Sequence, residues 1–196
     1  MHPAPSVIVF TTLSGLGFGL LVWLGIGLPV VTGWTAFAMF VIAYGLVAGG
    51  LVASTFHLGR PERALKAFSQ WRSSWLSREG VAAVLALVVM AGYGAGLVFW
   101  GQRWVALGWF GAMLSLAAVF ATSMIYAQLK TVPRWNTALT PVLYLALAAA
   151  GGALLAGQTG AALILLPVAG AIQVIWWIRG DGAFRAGGTT IASATG

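Results

Sequence analysis

The sequence predicts an all-α, polytopic membrane bundle of about six transmembrane helices, forming a single anchor domain over residues 1–196. Three observations carry this. Hydrophobic residues fill 60% of the 196 positions and charged ones only 7%. A soluble domain carries about 25% charged residues, so this inventory cannot build a water-solvated surface. Six apolar stretches approach the roughly 20 residues needed to cross hydrocarbon. The 10 Trp residues suit an interfacial aromatic belt.

The first stretch covers residues 7–28 and stops at Pro29. The start, Met1-His2-Pro3-Ala4-Pro5-Ser6, lacks the basic region of a cleavable signal, so this stretch reads as the first helix. The second covers 34–56 and ends where His57 opens a polar segment. Over 57–78, Leu65, Phe68, Trp71 and Trp75 recur at helical spacing among basic residues, predicting an amphipathic loop lying at the interface. The remaining helices are expected over 79–100, 104–129, 139–156 and 161–178. Small residues at four-residue spacing (Gly15 and Gly19, Gly45 and Gly49, Gly92 and Gly96) predict close helix packing. The polar tail from Gly187 to Gly196 reads like a loop cut short.

Charge is distributed very unevenly. Arg60, Arg63, Lys66, Arg72, Arg78, Lys130, Arg134, Arg179 and Arg185 all fall on one side of the bundle, and Arg103 alone falls on the other. The positive-inside rule then places the N-terminus and the charged loops in the cytoplasm. In a soluble protein the net charge of +7 would raise nucleic acid as a partner. Here the cations flank membrane spans, so topology, lipid and a docked partner explain them, and nucleic acid is not expected. With no cysteine, disulfides, thiolate zinc sites and Cys-ligated iron–sulfur clusters are excluded on this chain. No metal site is expected. A bundle haem needs two facing His, whereas the sequence has only His2 and His57, and nothing marks Met113 or Met124 as ligands.

Ionisable groups near hydrocarbon are costly and mark function. His57 ends the second helix and Glu79 opens the third, at one depth on the charged side. Tyr126, Gln128, Lys130, Arg134 and Trp135 gather at the end of the fourth helix, and Trp176, Trp177 and Arg179 at the end of the sixth. An imidazole and a carboxylate beside an apolar cavity can move the two protons of a quinone/quinol couple. Arg60, Arg72 or Arg78 can hold Glu79 ionised or polarise a quinone oxygen. Bland readings stand beside these. His57 also fits an interfacial cap, and Glu79 a carboxylate favoured by a helix N-terminus.

Two motifs go further. One is Ser54-Thr55-Phe56-His57-Leu58-Gly59-Arg60-Pro61-Glu62-Arg63-Ala64 with Arg72-Ser73-Ser74-Trp75-Leu76-Ser77-Arg78-Glu79. The other is Met124-Ile125-Tyr126-Ala127-Gln128-Leu129-Lys130, followed by Pro133, Trp135 and Pro141. Together with the Met1-His2-Pro3-Ala4 start and the tail, they resemble the DMSO reductase membrane-anchor (DmsC-like) family over the whole chain.

The resemblance implies the membrane subunit of a molybdenum oxidoreductase in the bacterial inner membrane. A molybdopterin catalytic subunit and an iron–sulfur subunit would dock on the charged side, bringing the molybdopterin and the clusters. The anchor would supply a site for ubiquinone or menaquinone and bind no haem. His57 and Glu79 match the family's quinol-site histidine and glutamate. Arg60, Arg78 and Tyr126 join them as expected quinone contacts, and Arg63, Lys66, Arg72, Lys130 and Arg134 as expected docking cations.

Family members usually have eight helices, so two C-terminal helices are expected beyond this chain. The charge asymmetry and the start favour the quinone-linked sulfite dehydrogenase branch over a DMSO or S-oxide reductase oxidising quinol. From another class, a permease is disfavoured because the helix interiors lack ionisable residues. A passive tether, holding the soluble subunits without touching quinone, is the third reading.

Overall fold

The computed structural model describes residues 5–55 and 68–186. They form six helices and no strand: α1 Pro5–Ile26, α2 Gly33–Thr55, α3 Trp75–Phe99, α4 Val105–Ala127, α5 Leu139–Leu155 and α6 Thr159–Ala186. Five are long and apolar enough to cross a membrane. The remaining one, α5, has 17 residues, a rise of about 25 Å, at the short end of the spanning range. The protein is therefore the all-helical membrane bundle its composition dictates.

Two helix ends depart from the sequence reading. α3 begins at Trp75 rather than Glu79. Ser74 is extended (φ −113°, ψ 125°), and the Arg78 amide donates to its carbonyl at 3.1 Å. The residues read as the end of an interfacial loop are thus a helical turn. Preceding them, residues 68–70 form a 3-10 turn that leaves Trp71 exposed and lays Phe68 against Gly80. α6 continues to Ala186 instead of ending at Ile178. Its 28 residues rise about 42 Å, so its last turns extend past a hydrocarbon core of about 30 Å. Arg134 pairs with Asp181, and Arg179 donates to the Thr137 hydroxyl. These contacts bind the extension to the α4–α5 connection.

α1 is the central helix. It packs against α2, α4 and α5, and it does so with almost no side chain at the crossings. A Cβ on Gly19 would strike the Ala148 carbonyl and lie 3.3 Å from the Gly152 Cα. A Cβ on Gly25 would strike the Gly108 carbonyl. Without a hydrophobic force between helices in lipid, close backbone contact and dispersion hold them together. The expected small-residue pairs are only partly used this way: Gly19 and Gly96 lie in tight contacts, while Gly15 and Gly45 face open space. Hydrogen bonds add register. Trp23 Nε1 donates to the Ala149 carbonyl at 2.9 Å, and the Tyr44 hydroxyl to the Leu87 carbonyl at 2.5 Å. α6 packs chiefly on α5 and turns Leu163, Ile164 and Ile178 outward, as a lipid-facing helix does.

Candidate functional site

Glu79 lies in the second turn of α3 and is buried, with 5% of its surface exposed. It is too far into the helix to serve as a terminal carboxylate, since the first turn of α3 holds no acidic residue. Among the described residues its hydrogen-bond partner is Thr122 of α4, whose hydroxyl donates to Oε1 at 2.5 Å. That hydroxyl also lies 3.0 Å from the Ala118 carbonyl. One O–H proton serves one acceptor at a time. With Glu79 ionised, Thr122 donates to it. With Glu79 protonated, the carboxylic acid donates to Thr122, and Thr122 turns to Ala118. The contact between Oε1 and Thr122 can therefore be kept in both protonation states.

Tyr126 stands one turn beyond Thr122 on the same face of α4. Its ring stacks on Tyr144 of α5 (centroids 5.8 Å, interplanar 30°) and meets Trp135 edge-on at 5.4 Å. All three line a cavity of about 560 Å³ between α1, α4, α5 and α6. Its deeper walls are apolar, with Leu16 on α1, Leu143, Leu147 and Gly151 on α5 and Leu166 on α6, while Thr11 and Thr12 of α1 also line it. Its charged-side end is polar. Buried Thr140 donates to the Trp135 carbonyl at 2.7 Å and accepts from Trp176 Nε1 at 3.0 Å. Gln173 of α6 also lines the cavity.

The other expected residues divide into three groups. Arg78 does not meet Glu79. Its guanidinium donates to the carbonyls of Trp71 (3.0 Å) and Arg72 (2.7 Å) and lies 4.4 Å over the Trp75 ring, bracing the turn before α3. Arg134 is engaged by Asp181 and lies 5.9 Å from the Trp176 ring, whereas Arg72 and Lys130 are exposed on the charged side. His57, Arg60, Arg63 and Lys66 lie outside the described residues. Sequence reading passes over Thr122, Tyr144 and Gln173. The available signal is a polar residue set one helical turn from another on the same face, namely Thr122 before Tyr126 and Gln173 before Trp176. No group of three or more metal-ligating side chains occurs among the described residues.

A bundle of apolar helices with its buried carboxylate and all its described cations but Arg103 toward one side is the architecture of a polytopic membrane protein. The protein belongs to the DMSO reductase anchor subunit (DmsC) family, whose model matches residues 1–176. A sulfite dehydrogenase subunit of Allochromatium vinosum is 39% identical over 188 residues, covering 82% of this chain and 56% of that protein. A polypeptide of the anaerobic dimethyl sulfoxide reductase of Haemophilus influenzae is 33% identical over 106 residues, covering 52% of this chain and 37% of that one. Its Escherichia coli namesake is 30% identical over 141 residues, covering 66% and 49%. The sequence thus spans about half the length of these relatives. No solved structure matches it.

Proposed function

We propose that this protein is the quinone-reactive anchor of a molybdopterin and iron–sulfur oxidoreductase, passing electrons between a docked iron–sulfur subunit and the membrane quinone pool. The supporting observation is Glu79. A carboxyl group in a membrane span is costly. This one is held by a neutral hydroxyl that serves it in both protonation states, one helical turn from a tyrosine that opens onto a cavity. A structural role would not require that tolerance.

When bound, quinone supplies a carrier for two electrons and two protons. The residues of this chain hold it, exclude water and deliver protons: Glu79 from its Thr122 cradle, and His57 from the segment that follows α2. Exposed Arg72 and Lys130, together with Arg63 and Lys66, form the docking face for the iron–sulfur subunit. Arg60 lies beside His57 in sequence and takes the tuning role that Arg78, committed to the turn, does not. The similarity to the sulfite dehydrogenase polypeptide over most of this chain favours sulfite as the electron donor at the partner's molybdenum. The sulfite gains an oxygen from water and releases two electrons and two protons. With the positive side in the cytoplasm of a bacterium, electrons and protons would both enter from that side and the step would be electroneutral.

The test replaces Glu79→Gln and, separately, His57→Phe in the assembled complex. Quinone-coupled turnover is expected to fall at least 100-fold, while turnover with a soluble dye acceptor stays within twofold. Equal loss of both activities would make the two residues structural and the protein a tether. S-oxide-dependent quinol oxidation in place of sulfite oxidation would move it to the reductase branch.

A further inference from the structure

Gln173 is an amide in the membrane-spanning part of α6, lining the cavity. No hydrogen bond joins it to another described residue. A polar group in hydrocarbon that has no partner is expensive and marks function by default. Its level in the cavity follows from the helices. Trp176 bonds Thr140 across antiparallel α5 and α6. One turn deeper on each helix come Gln173 and Tyr144, so amide and aromatic face stand at the same level. Below them the walls are apolar on α1, α5 and α6.

We infer that the cavity between α1, α4, α5 and α6 binds the ring of a membrane-dissolved quinone, with the Gln173 amide as its hydrogen-bonding contact and Tyr144 as its stacking surface. This rests on the reading of the protein as quinone-reactive and places the headgroup at a residue the motifs do not mark. The amide suits both redox forms of such a ring. Its N–H donates to a quinone carbonyl, and its oxygen accepts from a quinol hydroxyl. A volume of about 560 Å³ lies within the roughly 300–1,000 Å³ of small-molecule sites. The apolar wall past Leu16 and Leu166 takes the start of an isoprenoid tail, which leaves toward lipid between α1 and α6. Tyr144 stacks on Tyr126, which also lines the cavity and leads back along α4 to Thr122 and Glu79.

The experiment uses the full chain in its complex and a photoreactive benzoquinone bearing a short isoprenoid tail. Cross-links are mapped by peptide mass spectrometry, and affinity is measured by titration without turnover. Label is expected on the peptides carrying Tyr144 and Gln173, removed by excess unlabelled quinone. Gln173→Leu should weaken binding about tenfold, the effect of one hydrogen bond in an apolar site. Gly15→Leu provides a second variant. A Cβ there meets nothing within 4 Å and Gly15 lines the cavity, so a leucine should block binding without disturbing the fold.

Label confined to the α2–α3 region, with both variants binding normally and Glu79→Gln still inactive toward quinone, overturns the cavity assignment and leaves the anchor reading intact. Label displaced by phospholipid but not by quinone makes the cavity a lipid site and likewise overturns it. No saturable quinone binding to the unaltered complex, together with no quinone-coupled turnover by it, removes both.

Discussion

At the scale of single residues, Thr122 bears on the buried carboxyl more directly than any cation in the described structure. Its Oγ1 is the group that meets Glu79, at 2.5 Å, while the neighbouring Arg78 is spent on backbone carbonyls. Thr122→Val keeps the volume and removes the hydroxyl. It should lower stability in detergent by about 1–3 kcal/mol, the cost of leaving a buried polar group unpaired. In the assembled complex it should cut quinone-coupled turnover about tenfold with dye-coupled turnover unchanged. Lower stability with coupling intact would make Thr122 a packing residue only. Glu79 was legible in the sequence because a carboxylate beside an apolar run is conspicuous. Thr122 was not. A threonine within a span costs little, commonly bonds its own helix, and becomes significant only when another helix brings a carboxylate against it. Gln173 was hidden for the same reason: its meaning depends on a cavity made by four helices.

At the scale of helices, the existence and order of all six elements were legible, because an apolar run of spanning length has few alternatives. Their ends were less so. Hydropathy marks where a segment leaves hydrocarbon and says nothing of where hydrogen bonding stops. Hence Trp75 to Arg78 read as loop, and the polar turns after Ile178 read as tail. The crossing of α1 and α5 was legible as small residues but not as a particular contact. A Cβ on Gly152 would collide with the Gly19 carbonyl and lie 2.8 Å from its Cα, and both obstacles are backbone. Gly152→Leu should therefore force the helices apart. Overpacking of this kind typically costs about 1–3 kcal/mol, and more where the obstacle is backbone and does not give way. Thermal unfolding of the detergent-purified protein should show a clear drop in midpoint. Gly45→Leu, where a Cβ meets nothing within 4 Å, serves as the matched control and should leave the midpoint unchanged. Equal behaviour of the two variants would remove the α1–α5 crossing as a determinant of the fold.

At the scale of the whole molecule, the asymmetry of charge and the asymmetry of chemistry coincide. Among the described residues, Arg72, Arg78, Lys130, Arg134 and Arg179 lie at the ends of helices that share one side with Glu79, the Thr140–Trp176 bond and the polar end of the cavity. Arg103 lies at the other side, donating to the Ile26 carbonyl at the end of α1. Cations within short loops next to spans resist translocation, so the side holding them is expected to stay in the cytoplasm. The proposed docking face and proton entrance are then on that side too. Because the sequence has no cysteine, single cysteines at Gln102 and at Thr131 report the two faces against a silent background. In intact cells, a membrane-impermeant maleimide should label Gln102→Cys readily and Thr131→Cys only after lysis. The reverse pattern would mean that the cations were recruited to hold a partner on the outer face rather than to set topology. Protons for the quinone would then come from outside, and the step would no longer draw both its electrons and its protons from the cytoplasm.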